Sequence, residues 1–216
     1  MYQISPSILS ADFMNLESDI HNIEENGGAM IHVDVMAGLF DPNITIGFPE
    51  IQSLRKITDL PLDVHLMIDS PLRYVAKFVA SGADYVTIHT EADTLENNLE
   101  ALQTIRALGA KAGVSIKPGT PAEAVLPYLP YCDIILLMAV EPGFGGQKFM
   151  ADMMPKVTQL REWMDDINPD CHIEVDGGVD CVTHTICKEA GADVLVAGSA
   201  YFKAEDKAAF VKLVQS

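Results

Sequence analysis

Two histidines and two aspartates stand inside apolar runs of this 216-residue sequence: His32 and Asp34 in IHVDVM, His65 in DVHLM and Asp176 in IEVDGG. Buried polar and charged groups need hydrogen-bond partners, an opposite charge or a metal. Two imidazoles with two carboxylates suit a divalent ion of intermediate hardness: zinc, ferrous iron, manganese or cobalt. Taken singly, each of the four reads as a rim residue with an ordinary partner. Their coincidence at the ends of three strands is what points to a metal. His32 and Asp34 are two apart, so in a strand they share a face. Ser7 sits near the end of the first apolar run and joins the same rim.

A second group is defined by missing side chains. Pro142-Gly143-Phe144-Gly145-Gly146, Gly177-Gly178 and Gly198-Ser199 follow three successive apolar runs. Each glycine alone serves a turn. Three adjacent glycine-bearing loops let backbone N–H groups approach an anion, helped by helix N-termini. No basic run lies nearby, so a phosphate site here would be built from amides. Met36, Met67 and Met138 also fall at or near strand ends. They either fill core gaps or wall a dry cavity above the metal.

The elements that must position these residues alternate strand and helix eight times. Strands are expected at Gln3–Leu9, Met30–Val35, Pro61–Met67, Tyr85–His89, Lys111–Ile116, Ile134–Val140, His172–Val175 and Val194–Ala197. Ser10, Ala11 and Asp12 offer a start to a first helix with apolar positions Phe13, Leu16, Ile20 and Ile23. Further helices are expected near Pro49–Ile57, from Pro71 to Gly82, over Leu95–Leu108, from about Pro121, over Met150–Met164, over Val182–Ala190 and after Asp206. Eight units of about 27 residues match one strand, one crossover helix and two loops each. Continuous apolar strands are those buried on both faces. The pattern predicts an α/β fold, a closed (β/α)8 TIM barrel, as one domain over 1–216. An open doubly wound sheet is the rival; even units and the lack of GxGxxG disfavour it. In a barrel, chemistry gathers at the C-terminal strand ends, with phosphate at the loops after strands seven and eight.

Composition narrows the function classes. The net charge of −17 argues against nucleic-acid and anionic-membrane binding. The longest aliphatic run, Ile134–Val140, is far too short for a membrane span. No Lys or Arg precedes Arg55, so a secretory signal is not expected. Cys132, Cys171, Cys181 and Cys187 form no CxxC pair and read as reduced, buried thiols of a cytoplasmic protein. His21 and His184 fall in helix patterns and read as solvated; His172 reads as a strand residue at the entrance side. His89, ending the fourth strand, fits either a support for the site or a rim histidine with its own partner.

The segments SPSILSADF (Ser5–Phe13), IHVDVM (Ile31–Met36), PNITIG (Pro42–Gly47), DVHLM (Asp63–Met67), EPGFGGQKF (Glu141–Phe149), VDGG (Val175–Gly178) and AGS (Ala197–Ser199) run in order along nearly the whole chain. In these the sequence resembles the ribulose-phosphate 3-epimerase family, of the ribulose-phosphate-binding barrel type. The resemblance implies one divalent ion per subunit held by His32, Asp34, His65 and Asp176. It implies substrate contacts from Ser7, His65 and Asp176, and from the loop residues Gly143 and Phe144. It implies a phosphate cradle of Gly145, Gly146, Gly177, Gly178, Gly198 and Ser199. It also implies a homo-oligomer, a phosphorylated ketose as partner, and a role in pentose phosphate metabolism. Where the family usually reads VDVMDG this chain reads VDVMAG, so Ala37 replaces an acid beside the site. Asp41 stands before Pro42, where an apolar residue is expected.

The implied reaction interconverts D-ribulose 5-phosphate and D-xylulose 5-phosphate. Inverting C3 requires loss of a proton alpha to the carbonyl and its return on the other face. A dication stabilises the intervening 2,3-enediolate as a Lewis acid, and Asp34 and Asp176 exchange the protons. The loop near Phe144–Phe149 would close over substrate. Rival readings are an epimerase of a six-carbon ketose phosphate such as D-allulose 6-phosphate, a lyase on the same phosphate-binding barrel, and a non-catalytic phosphosugar-binding regulator.

Overall fold

The computed structural model describes residues 2–216. Eight strands form one sheet: β1 (Gln3–Pro6), β2 (Ile31–Met36), β3 (Leu62–Met67), β4 (Tyr85–His89), β5 (Lys111–Ile116), β6 (Ile134–Met138), β7 (His172–Asp176) and β8 (Val194–Ala197). Their order is β1-β8-β7-β6-β5-β4-β3-β2, and every ladder is parallel. The ends of this order meet at a seam. β1 and β2 are joined by a bridge between Ser7 and His32 and by Ala29 N–H donating to the Ile4 carbonyl at 3.0 Å. The expected TIM barrel is therefore present, nearly closed, with one lightly bonded joint.

The helices are α1 (Leu16–Glu25), α2 (Phe48–Ile57), α3 (Val75–Ala80), α4 (Leu95–Ala107), α5 (Met154–Ile167), α6 (Thr183–Ala190), α7 (Ser199–Phe202) and α8 (Lys207–Gln215). Alternation along each strand sorts its residues between two environments. In β2, Ile31, Val33 and Val35 join the core shared with the helices; in β3, Leu62, Val64 and Leu66 do the same. The other parity points into the barrel. There Met30, Ile134 and Val194 make a dry floor against Tyr85, and the layers above it carry the polar groups.

Several local expectations need correction. The first strand stops at Pro6 because Ser7 Oγ accepts the Leu9 N–H and the chain turns into a 3₁₀ segment, Ile8–Ser10. The first helix starts only at Leu16, since the Asp12 carboxylate takes the Met14 N–H and Asn15 Nδ2, an Asx turn; Phe13 is left 48% exposed. No α-helix follows Pro121: two 3₁₀ turns, Ala122–Val125 and Leu129–Tyr131, take its place. Pro127 and Pro130 lack the N–H groups a continuous helix would need. The short α7 was not foreseen. His184 is buried, not solvated, and Cys181 is exposed while the other three cysteines are buried; all four are free.

Candidate active site

β2, β3 and β7 deliver the four ligand candidates to one point. The ligand atoms of His32, Asp34, His65 and Asp176 all lie within 4.8 Å of one another. His32 Nε2 is 3.4 Å from Asp34 Oδ1, and His65 Nδ1 is 3.3 Å from the same oxygen and 4.0 Å from Asp176 Oδ2. His32 and His65 are fully buried, and Asp34 nearly so. His32 Nε2 has no hydrogen-bond partner among the described residues. An orphaned ring nitrogen, a second imidazole and two carboxylates around one point fit a dication of the zinc, iron, manganese or cobalt type.

Electrostatics separate the two carboxyls. Burial would raise Asp34, but the His32 and His65 rings outweigh it and hold the group well below the carboxylate range. Burial and then the Asp34 charge push Asp176 up to about 6. Burial would lower His32, yet the charges of Asp63 and Asp34 hold it well above its ordinary value. A cation and a proton thus compete for the same nitrogen. Ser7 Oγ donates to Asp34 Oδ2 at 2.6 Å, so the seam between β1 and β2 is stapled by the carboxylate it presents.

Above these groups lies a cleft of about 560 Å³, part of it open to solvent. Met36, Met67 and Met138 wall it on the metal side. Gly143, Phe144, Gly145, Gly146, Gly177, Gly178, Gly198 and Ser199 line it from the loops after β6, β7 and β8, and Ser7, Asp34 and Asp176 reach it from the strand ends. His32 and His65 are not part of this lining and lie beneath its surface. No Lys or Arg lines it among the described residues. The glycine loops are tight: a Cβ on Gly178 (φ +67°) would stand 2.6 Å from the Phe149 nitrogen.

A family model for the ribulose-phosphate 3-epimerase family matches residues 3–202. The chain belongs to this family. It is 47% identical over 208 residues to ribulose-phosphate 3-epimerase of Mycobacterium tuberculosis (strain ATCC 25618 / H37Rv), covering 96% of this chain and 89% of that one. It is 45% identical over 208 residues to the enzyme of the same name from Bacillus subtilis (strain 168), covering 96% and 95%. Among solved structures, a KGPDC from Streptococcus mutans superposes with a TM-score of 0.76 at 13% identity, covering all of this chain and 96% of that one. That likeness is one of fold.

The ring of ligand candidates rests on residues that the sequence reading passed over. Asp63 Oδ2 lies 2.6 Å from His32 Nδ1 and accepts from Ser5 Oγ at 3.2 Å; Glu174 Oε1 lies 3.6 Å from the same nitrogen. Burial and the Asp63 charge push Glu174 well above its ordinary value, whereas the His32 charge overrides burial and lowers Asp63. Glu174 is thus the more readily protonated member of this carboxyl pair. The signal for both was in the sequence. Asp63 stands two before His65, and Glu174 two before Asp176, the same spacing that put His32 and Asp34 on one face.

His89 and Glu91 extend the support outward. His89 Nε2 is 2.9 Å from His65 Nε2, and His89 Nδ1 is 3.2 Å from Glu91 Oε2. Burial lowers His89 to about 4. Of the two departures from the family pattern, Ala37 is exposed and pairs with Ile44 in a small antiparallel bridge. Asp41 is buried beside Gly143, and its Oδ1 accepts the Asn43 N–H at 2.9 Å. Asn43 Nδ2 donates to the Gly143 carbonyl at 2.7 Å, tying the loop after β2 to the loop after β6.

Proposed function

We propose that this chain is a ribulose-phosphate 3-epimerase, interconverting D-ribulose 5-phosphate and D-xylulose 5-phosphate. The observation that carries the reading is the ring of His32, Asp34, His65 and Asp176 at the base of a cleft whose opposite wall is glycine. Family membership and relatives bearing that name support it. His32 Nε2, His65 Nδ1, Asp34 and Asp176 would hold one divalent ion per subunit, zinc favoured among the candidates. When bound, such an ion supplies Lewis-acid stabilisation of the negative charge that develops on the ketose oxygens.

Asp34 and Asp176 stand on strands separated around the barrel by β1 and β8, so they approach a flat intermediate from different sides. One takes the C3 proton while the other returns a proton to the opposite face; for the other epimer the roles exchange. Their electrostatics suit this, since burial and the ionised Asp34 keep Asp176 the more readily protonated of the two. Ser7, bonded to Asp34, holds that carboxylate in place. Backbone amides of the loops at Gly145–Gly146, Gly177–Gly178 and Gly198–Ser199 would take the phosphate and convert its binding into orientation of C3. Met36, Met67 and Met138 keep water from the reacting carbon. Phe144 stands over the mouth.

The reading also takes residues 1–216 as one domain. Four free thiols fit a reducing compartment and support a cytoplasmic setting. No helix among the described residues is long and apolar enough to cross a membrane. The expected homo-oligomer is read directly by sedimentation. The deciding experiment is NMR of D-ribulose 5-phosphate with the protein in deuterated buffer, before and after metal removal. D-xylulose 5-phosphate carrying deuterium at C3 is expected, and no exchange once metal is stripped. Binding without exchange at C3 would favour the regulator reading. Faster exchange on D-allulose 6-phosphate would move the assignment to the six-carbon epimerase. Products of altered carbon number would move it to a lyase.

A further inference from the structure

Within the proposed metal-dependent reading, we infer that His89 and Glu91 form a proton-positioning relay that fixes the tautomer of His65 and leaves Nδ1 bare for the dication. His65 and His89 face each other through their Nε2 atoms at 2.9 Å, with ring centroids 5.0 Å apart and planes 28° from parallel. This close approach of the two ring nitrogens is what a ring N–H···N bond requires. One Nε2 donates and the other accepts.

The next contact sets the direction. His89 Nδ1 meets Glu91 Oε2 at 3.2 Å. Glu91's other oxygen already accepts the Lys117 N–H at 2.9 Å and the Thr120 hydroxyl. Two donors at that oxygen favour the ionised carboxylate, which only accepts. His89 Nδ1 therefore carries the proton, and its Nε2 is a lone pair. His65 Nε2 must then be the donor, and a neutral His65 has its bare nitrogen at Nδ1. That nitrogen faces Asp34 Oδ1 and Asp176 Oδ2. The opposite tautomer would let His65 Nδ1 donate to Asp34 Oδ1, but it would set two lone pairs against each other at the His89–Glu91 contact and close that nitrogen to the dication.

The two imidazoles of the relay are enclosed. His89 is fully buried, the Phe40 ring lies 4.7 Å from it, and Lys117 Nζ lies 3.6 Å from the centroid of that phenyl ring. Water therefore has little access with which to satisfy the wrong tautomer. Asp63 performs the same duty for His32 through one direct bond, at 2.6 Å. The His65 arm differs in passing through a second imidazole to a partly exposed carboxylate.

The test reads metal affinity and tautomer rather than turnover. Cobalt(II) dissociation constants are measured by chelator competition for the wild type and for Glu91→Gln, His89→Phe and His89→Gln. In Glu91→Gln the amide oxygen can keep the Lys117 and Thr120 donors, so the amide nitrogen faces His89 Nδ1. That reverses the relay and drives the proton onto His65 Nδ1. A loss of about 10–100-fold in cobalt affinity is expected for Glu91→Gln and His89→Phe. His89→Gln retains an acceptor for His65 and a donor for Glu91, and should recover most of the affinity. Long-range ¹H–¹⁵N spectra of the metal-free chain should place the His65 proton on Nε2 in the wild type and on Nδ1 in Glu91→Gln. Unchanged cobalt affinity in folded Glu91→Gln and His89→Phe, or a wild-type His65 protonated on Nδ1, overturns the relay. Failure of the wild type itself to bind cobalt would instead overturn the metal reading on which the relay rests.

Discussion

On one side of the cleft, β2, β3 and β4 present His32, Asp34, His65 and His89, all buried and each bonded to a further side chain. On the other side, the loops after β6, β7 and β8 present Gly145, Gly146, Gly177, Gly178 and Gly198. One half is built from functional groups held in place, the other from space kept free so that backbone can approach a ligand. The first half should fail when an atom is removed or altered. The second should fail when an atom is added. Changing the two halves separately tests that distinction.

The largest effects belong to the side-chain half. Stripping divalent metal with a chelator should abolish turnover, and adding back zinc, iron, manganese or cobalt should restore it. Full activity in a demonstrably metal-free preparation would refute the metal role. Next, Asp34→Asn, or Asp176→Asn in the one ring carboxylate that β7 adds to this half, should lower kcat by about 10³-fold or more, the upper range of general acid–base contributions, with an unchanged far-UV circular dichroism spectrum. A variant that turns over at near the normal rate removes that residue from the acid/base pair.

The two halves were not equally legible in the sequence. Barrel and rim followed from strand count and from polar residues within apolar runs, because strand alternation is a backbone rule that tertiary context does not change. The same rule reached His32 and Asp34 but was not carried to Asp63 and Glu174, which occupy the same face two residues earlier in β3 and β7. The glycine half was legible as position but not as geometry. Nothing in Gly177-Gly178 announces that a Cβ on Gly177 would stand 2.5 Å from Val140 Cγ2, since that contact comes from the segment after β6, far away in sequence. Loop conformations were the weakest reading. The Asx turn at Asp12 and the prolines after Pro121 displaced helices that periodicity alone supported.

The glycine half has its own test. Gly178→Ala adds one methyl at φ +67°, 2.6 Å from the Phe149 nitrogen and 2.7 Å from its Cα. The left-handed backbone and the clash should cost about 1–3 kcal/mol of stability. KM for the phosphate ester should rise more than kcat falls, because the cradle positions the remote end of the substrate. A fall in kcat at unchanged KM would mean that this loop serves the chemistry rather than the phosphate, and the division between halves would dissolve.

A smaller effect reads the support beneath the side-chain half through pH. Burial would raise Glu91, but bonds from His89, Thr120 and the Lys117 N–H lower it to about 2, below its ordinary 4.5. A depressed carboxyl contributes stability that is complete above about pH 4.5 and is lost as pH falls toward 2. The gap in denaturant midpoint between wild type and Glu91→Gln should therefore be constant above about pH 5 and narrow below about 4.5. A gap that stays constant down to about pH 2.5 would remove the ionised Glu91 from the network.

The smallest effect is expected where the halves meet over the mouth. Phe144 lines the cleft yet is 60% exposed. Its loop is held by backbone-directed bonds from Gln147 Nε2 to the Glu141 and Phe144 carbonyls rather than by the ring. Phe144→Ala removes little buried area, so Tm should hold while kcat/KM falls by less than about tenfold. Loss confined to kcat/KM fits a cover over the bound ketose. A drop in Tm with catalysis intact would make Phe144 a packing residue and leave the exclusion of water to the walls of the cleft alone.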